Sequence, residues 1–138
     1  MNQKDKNEIK KAIAKAEKMT SGEIRVHLQK KCIGNILNQS EKVFVKLGMH
    51  KTKEKNGVLI FIALDSRRFA IIGDKGIHER VGAGFWDEVK DKMATLFSEG
   101  ALKEGIITGI MDAGEKLKKY FPGKSDDKNE LSDDLSVG

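Results

Sequence analysis

Residues 56–86 read NGVLIFIALDSRRFAIIGDKGIHERVGAGFW, and this stretch decides the fold. Val58–Leu64 is apolar without alternation. That pattern suits a strand covered on both faces, whereas a half-buried strand alternates. Asp65-Ser66-Arg67 reads as a short turn, and Arg68–Ile72 returns as the next strand. The pair is expected to form a hairpin. Gly73-Asp74-Lys75-Gly76-Ile77-His78-Glu79 follows, crowding two glycines, two acids and an imidazole at the hairpin mouth. Polar groups held at the end of a stiff sheet are a frequent setting for binding.

Working towards the N-terminus, Lys51–Asn56 is a polar loop, and Ser40, Val43, Phe44 and Leu47 mark a helix over about 38–48. Residues 31–37 give no clear pattern. Ile24, Val26 and Leu28 alternate with Arg25, His27 and Gln29, as in a strand with one wet face near a sheet edge. Ile9, Ala12, Ile13, Ala16 and Met19 recur at helical spacing, which predicts an amphipathic helix over 4–19. About 26 residues, including a helix, separate the first two strands. Such a connection has room for a crossover, so these strands are expected to be parallel, with the third antiparallel to the second.

Towards the C-terminus, Phe85, Trp86, Val89, Met93, Leu96 and Phe97 trace a helix over 84–98. Leu102, Ile106, Ile110, Ala113, Leu117 and Phe121 trace the last one, stopped by Pro122-Gly123. Gly105, Gly109 and Gly114 lie inside it, each costing about 1 kcal/mol of helix propensity relative to alanine. Gly105 and Gly109 share a face and are expected to permit close approach of a neighbour. The expected architecture is α/β: a three-layer α/β/α sandwich with a small mixed β-sheet flanked by helices on both faces. Residues 1–122 form the domain, and 123–138 are expected to be a disordered acidic tail.

The totals exclude several classes. With 138 residues the chain can bury one real core. No apolar run reaches 18 residues, so no transmembrane segment is expected. The N-terminus is charged throughout and lacks the apolar region of a secretory signal, which makes a cytoplasmic location the expectation. Cys32 is the single cysteine, so no internal disulfide forms. Cysteine phosphatases need an arginine six positions after the thiolate, where Asn38 stands. The net charge of +5 conceals a split, because residues 125–138 hold five acids against one lysine and leave +9 on residues 1–124. The lysines are scattered and not interleaved with aromatics, so a solvated basic surface is expected in preference to nucleic-acid binding.

The strand directions predict where polar groups meet. One sheet end collects Ser21, Glu23, Glu54, Asn56, Asp74, His78 and Glu79; the other collects Asp65, Arg67 and Arg68. Hard cations take several carboxylate and carbonyl oxygens, which makes Asp74, Glu79 and Glu23 candidate ligands at the first end. Gly73 and Gly76 allow the tight backbone such a site needs. Asn56, Gly73, Gly76 and Trp86 are the candidate pocket residues. The alternative for Asp74 is a turn in which it bonds local amides. Asp65 is a second metal candidate, beside an arginine pair suited to phosphate. His78-Glu79 is not a zincin motif, because Gly82 occupies the second histidine position. Asp87 likewise stands where the third glycine of a dinucleotide loop belongs. No nucleophile motif is present, so phosphoryl transfer would need a metal-activated water. His78, Asp74 and Arg67 are then the candidates for acid/base work and phosphate holding.

Ser21-Gly22-Glu23-Ile24, Asn56-Gly57-Val58-Leu59-Ile60, Asp65-Ser66-Arg67-Arg68 and the 73–79 segment, in that order, resemble the TPM domain. This family is named after a thylakoid lumen acid phosphatase, a photosystem repair protein and a receptor modulator. Leu47-Gly48-Met49, Phe85-Trp86 and the acidic tail resemble its short bacterial members. The similarity covers about residues 4–122. It implies an α/β/α sandwich and divalent-cation binding, often of calcium, near acidic loops at the sheet edge. For some plant members it implies acid phosphatase activity, and for many a place outside the cytoplasm. The expected function is therefore a binding or regulatory module for calcium or magnesium. A metal-assisted phosphatase is the enzymatic alternative, and nucleic-acid binding through the lysines of the first helix and the 51–55 loop a weaker one. A divalent cation and a protein are the expected partners, no organic cofactor is expected, and the chain is expected to be a monomer.

Overall fold

Every residue of the central strand is buried in the computed structural model, which describes residues 1–123 and 135–138. This strand, β2 (Val58–Ala63), pairs in parallel with β1 (Ile24–Gln29) and antiparallel with β3 (Arg68–Gly73). A short strand, β4 (Ser136–Val137), adds in parallel to the far side of β1, giving the order β3-β2-β1-β4. The mixed sheet and its strand directions are those expected from sequence.

Two helical layers explain why β2 is apolar at every position. On one face Ile24, Val26 and Leu28 of β1 and Val58, Ile60 and Ile62 of β2 form the main core. They pack with α1 (Gln3–Glu17), α4 (Asp87–Ser98) and α5 (Leu102–Lys118). On the other face Phe61 and Ala63 cluster with Cys32, Ile36 and Val43, and Leu59 with Phe44 and Met49. That layer is α2 (Ile36–Lys46) and the 3-10 turn Met49–Lys51. Asn2 caps α1 by accepting from the Asp5 amide, and Asn35 caps α2 by accepting from Asn38. No helix among the described residues is long and apolar enough to cross a membrane.

The glycines of α5 do what their spacing suggested. A Cβ on Gly105 would lie 2.4 Å from the Phe97 ring, and one on Gly109 2.5 Å from Met93 Sδ, both on α4. A Cβ on Gly114 would lie 3.0 Å from Ala16 on α1. The weak helix propensity is offset by close packing on two neighbours.

Several expectations are corrected. Arg25, His27 and Gln29 do not form a wet face: Arg25 and Gln29 are half-buried, and His27 is 6% exposed, its ring packed on Phe61 and bonded to Gln29 and to Ser136 of β4. Phe85 and Trp86 precede α4, which starts at Asp87 after left-handed Gly84. The last helix ends at Lys118, and the chain then turns so that Pro122 bridges Thr20. A one-turn helix, α3 (Lys75–His78), was not anticipated. Of the tail expected from residue 123 onward, 124–134 lie outside the described residues. Ser136–Val137 form β4, which has no periodic signal in sequence.

Burial lowers the His27 pKa, against a smaller opposing effect of its bond to Gln29; Lys46 and Arg25 lower it further. A folded-state pKa below the unfolded one means that the unfolded chain binds the proton more readily. This contribution to stability is therefore complete above the unfolded histidine pKa of about 6.5 and is lost as pH falls through the lower folded value. Chemical denaturation from pH 7.5 to 5 should show a fall that is smaller in His27→Phe. Gly105→Val should destabilise by roughly 2 kcal/mol in the same measurement, because overpacking against Phe97 outweighs any gain in helix propensity.

Candidate functional site

The rim is built by backbone pairing. The Val58 amide donates to the Glu23 carbonyl at 2.7 Å, and the Asp74 amide donates to the Gly57 carbonyl at 2.9 Å. Residues 23 and 74 thus flank residues 57 and 58, which brings the starts of β1 and β2 beside the end of β3. Glu23 and Asp74 share one end of the sheet, as the strand directions required.

Around that frame a polar network forms. Ser21 Oγ donates to Glu54 Oε2 at 2.8 Å, and Asn56 Nδ2 lies 3.3 Å from both Ser21 Oγ and Glu54 Oε2. Asn56 is only 1% exposed, and its backbone amide donates to Thr52 Oγ1. The 52–56 loop is therefore tied down by its own buried polar residues. Its carbonyls press on α3: the Gly76 amide donates to the Lys55 carbonyl at 2.8 Å. A Cβ on Gly76 would lie 2.1 Å from the Glu54 carbonyl oxygen and 2.5 Å from that of Lys55. Only glycine allows so close an approach of backbone oxygens.

Asp74 caps α3, with Oδ1 accepting from the Lys75 amide at 2.8 Å. The local turn bond weighed from sequence is therefore present. Its second oxygen is different: Oδ2 is buried and meets no donor. A buried carboxylate oxygen without a partner is costly, and such atoms call for a specific explanation.

The remaining candidates divide. Gly73 sits at the same strand end, where a Cβ would lie 3.5 Å from Trp86 Nε1, so the buried indole flanks the residue before Asp74. Glu79 caps the C-terminal end of α3 and is exposed, as is His78. Glu23 is buried at 4% exposure. Among the described residues no three His, Cys, Asp or Glu side chains converge as a metal-binding group. Asp65 and Arg67 are exposed at the hairpin turn, with Arg67 in a left-handed conformation. The six-residue β3 separates them from Asp74 by roughly 20 Å at strand rise. There Ser66 Oγ accepts from the Cys32 amide, and Arg68 Nη1 donates to the Cys32 carbonyl at 3.4 Å. Glu54, which holds the Ser21–Asn56 network, was placed at the rim from sequence but not among the ligands. Its neighbours Thr52 and Asn56 are the polar residues that mark this loop as structured.

The TPM domain model matches residues 1–116. The solved structure of BA42 protein from the psychrophilic bacterium Bizionia argentinensis is 43% identical, covers 100% of this chain and 95% of its own, and superposes with a TM-score of 0.94. The N-terminal domain of a protein from P. gingivalis is 20% identical, with 88% of this chain and 78% of that one covered and a TM-score of 0.69, a likeness of fold alone. No curated protein matches the chain. With the family model spanning residues 1–116 of 138, the chain belongs to the TPM domain family.

Proposed function

We propose that the Asp74 rim binds a hard divalent cation, calcium or magnesium, and that the protein acts as a cation-dependent binding module. The observation that carries this reading is Asp74 Oδ2, a buried acceptor with no donor. An oxygen of that kind suits a cation that prefers carboxylate and carbonyl ligands. Glu54 and the carbonyl oxygens around Gly76 are further oxygen donors of the same loop cluster. Among the described residues no cluster of three acids forms, so the charge count is low. Few charged ligands mean weak binding, on the order of 0.1–1 mM for calcium. Asp74 is the first ligand in this reading, and Glu23 and Glu79 the outlying members of the set. The phosphatase reading is less favoured, because Arg67 stands at the other sheet end from Asp74 and His78.

Calcium titration followed by amide shifts should move Asp74, Lys75 and the 54–57 loop together. Trp86 emission should change over the same range, because the indole flanks Gly73. Asp74→Asn should weaken binding at least tenfold while leaving the fold intact. Gly76→Ala should weaken it too, by pushing away the Glu54 and Lys55 carbonyls. A titration in which only residues 126–134 respond, or in which Asp74→Asn behaves as wild type, would overturn the reading. Hydrolysis of a chromogenic phosphate ester that disappears in Asp74→Asn would favour the enzyme instead.

A further inference from the structure

The end of the sheet opposite the Asp74 rim carries a protruding loop with an apolar tip. Ile33 is 83% exposed, and Leu37, at the start of α2, is 54% exposed. Both follow buried Cys32, which packs with Phe61 and Ala63. Left-handed Gly34 comes next to Ile33, and a Cβ built on it would meet nothing within 4 Å, so the chain turns here in open solvent. The tip is nonetheless tied down on both sides. Gln29 Nε2 donates to the Lys31 carbonyl at 2.8 Å, the Cys32 amide donates to Ser66 Oγ at 3.0 Å, and Gln39 Nε2 donates to the Ile33 carbonyl. A loop held at each of these residues presents Ile33 outward instead of folding it onto the core.

Cations surround this tip. The Leu64 and Asp65 amides donate to the Gln29 and Lys30 carbonyls at 2.8 Å each, which sets the β2–β3 turn beside the loop. Lys30, Lys31, Arg67 and Arg68 are all exposed there, against the acids Asp65 in the turn and Glu41 one turn into α2. Among the described residues none of these four cations pairs with a carboxylate. A convex aliphatic tip on basic shoulders has a specific complement. A folded partner would need a pocket shaped for Ile33. A nucleic acid offers no apolar surface to it, and aliphatic side chains give bases nothing to stack on. A bilayer with anionic headgroups meets both features: aliphatic side chains enter the boundary of the acyl chains, while lysine and arginine stay among the phosphates.

We propose that the 30–37 loop, together with the Asp65–Arg68 turn, is a docking face for an anionic membrane surface. Ile33 and Leu37 insert, and Lys30, Lys31, Arg67 and Arg68 contact the headgroups. The domain then stands with the C-terminal ends of β1 and β2 towards the bilayer and the Asp74 rim facing away from it, roughly 20 Å off at strand rise. Attachment is peripheral and reversible, because two aliphatic side chains and four cations supply far less than a spanning helix. It requires no cation at the Asp74 rim.

The test is co-sedimentation of the full chain with vesicles of equal parts phosphatidylcholine and phosphatidylglycerol, in the presence of a chelator. These vesicles should capture the chain, and phosphatidylcholine alone should not. Ile33→Ser should weaken capture roughly tenfold through loss of the inserted side chain. Lys30→Glu with Lys31→Glu should weaken it by at least as much. All three positions are exposed, so the fold is unaffected. Lys118→Glu with Lys119→Glu makes the same change of charge near the foot of β1, and should have little effect. Absence of capture by the anionic vesicles, Ile33→Ser binding as wild type, or an equal loss in the Lys118–Lys119 variant would overturn the proposal. Duplex DNA that displaces the chain from the vesicles and binds Ile33→Ser undiminished would overturn it in favour of nucleic acid.

Discussion

Two backbone bonds, from Val58 to Glu23 and from Asp74 to Gly57, hold the rim together. They follow from one constraint, that β2 lies between a parallel and an antiparallel neighbour. With that arrangement the chain enters β1, enters β2 and leaves β3 at the same place. Backbone pairing thereby makes neighbours of residues more than 50 positions apart. Reversal of any one strand would scatter Ser21, Glu54, Asn56 and Asp74 to two ends of the sheet.

The two helical layers serve this constraint unequally. The α1–α4–α5 side carries the larger core, and its helices approach closely at the α5 glycines. The α2 side is thinner, with two small clusters over Phe61 and Leu59. It also buries polar residues, among them His27, Thr52 and Asn56. Buried polar groups need geometrically placed partners, and here those partners order the 52–56 loop and the β1 edge. The apolar layer thus fixes the fold, and the polar layer shapes the surfaces at its margins.

The architecture was legible where periodicity was strong. The unbroken apolar run of β2 announced burial on both faces, and the helical crossover set the parallel pair. Gly105 and Gly109 announced close packing, because four residues apart they share one face of the helix. Legibility failed where elements are short or where a covering layer overrides pattern. The single turn of α3 is too brief for periodicity, although Asp74 is a typical cap residue. The two residues of β4 carry no pattern of their own. Alternation in β1 suggested water on one face, but a polar residue covered by neighbouring strands looks the same in sequence as one in solvent. For the rim, the sequence supplied its membership but not its chemistry. The direction of each carboxylate oxygen, and so the lone acceptor on Asp74, depends on a turn that spacing does not describe.

The closure at Thr20 and Pro122 has a further consequence. The Gly123 amide donates to the Met19 carbonyl, and the Thr20 hydroxyl donates to the Phe121 carbonyl. The polypeptide therefore leaves the α5 region at the foot of β1, already stitched down, before it returns to the sheet as β4. The C-terminal segment thus starts its return from a fixed anchor beside one sheet margin, which limits where along β1 it can pair.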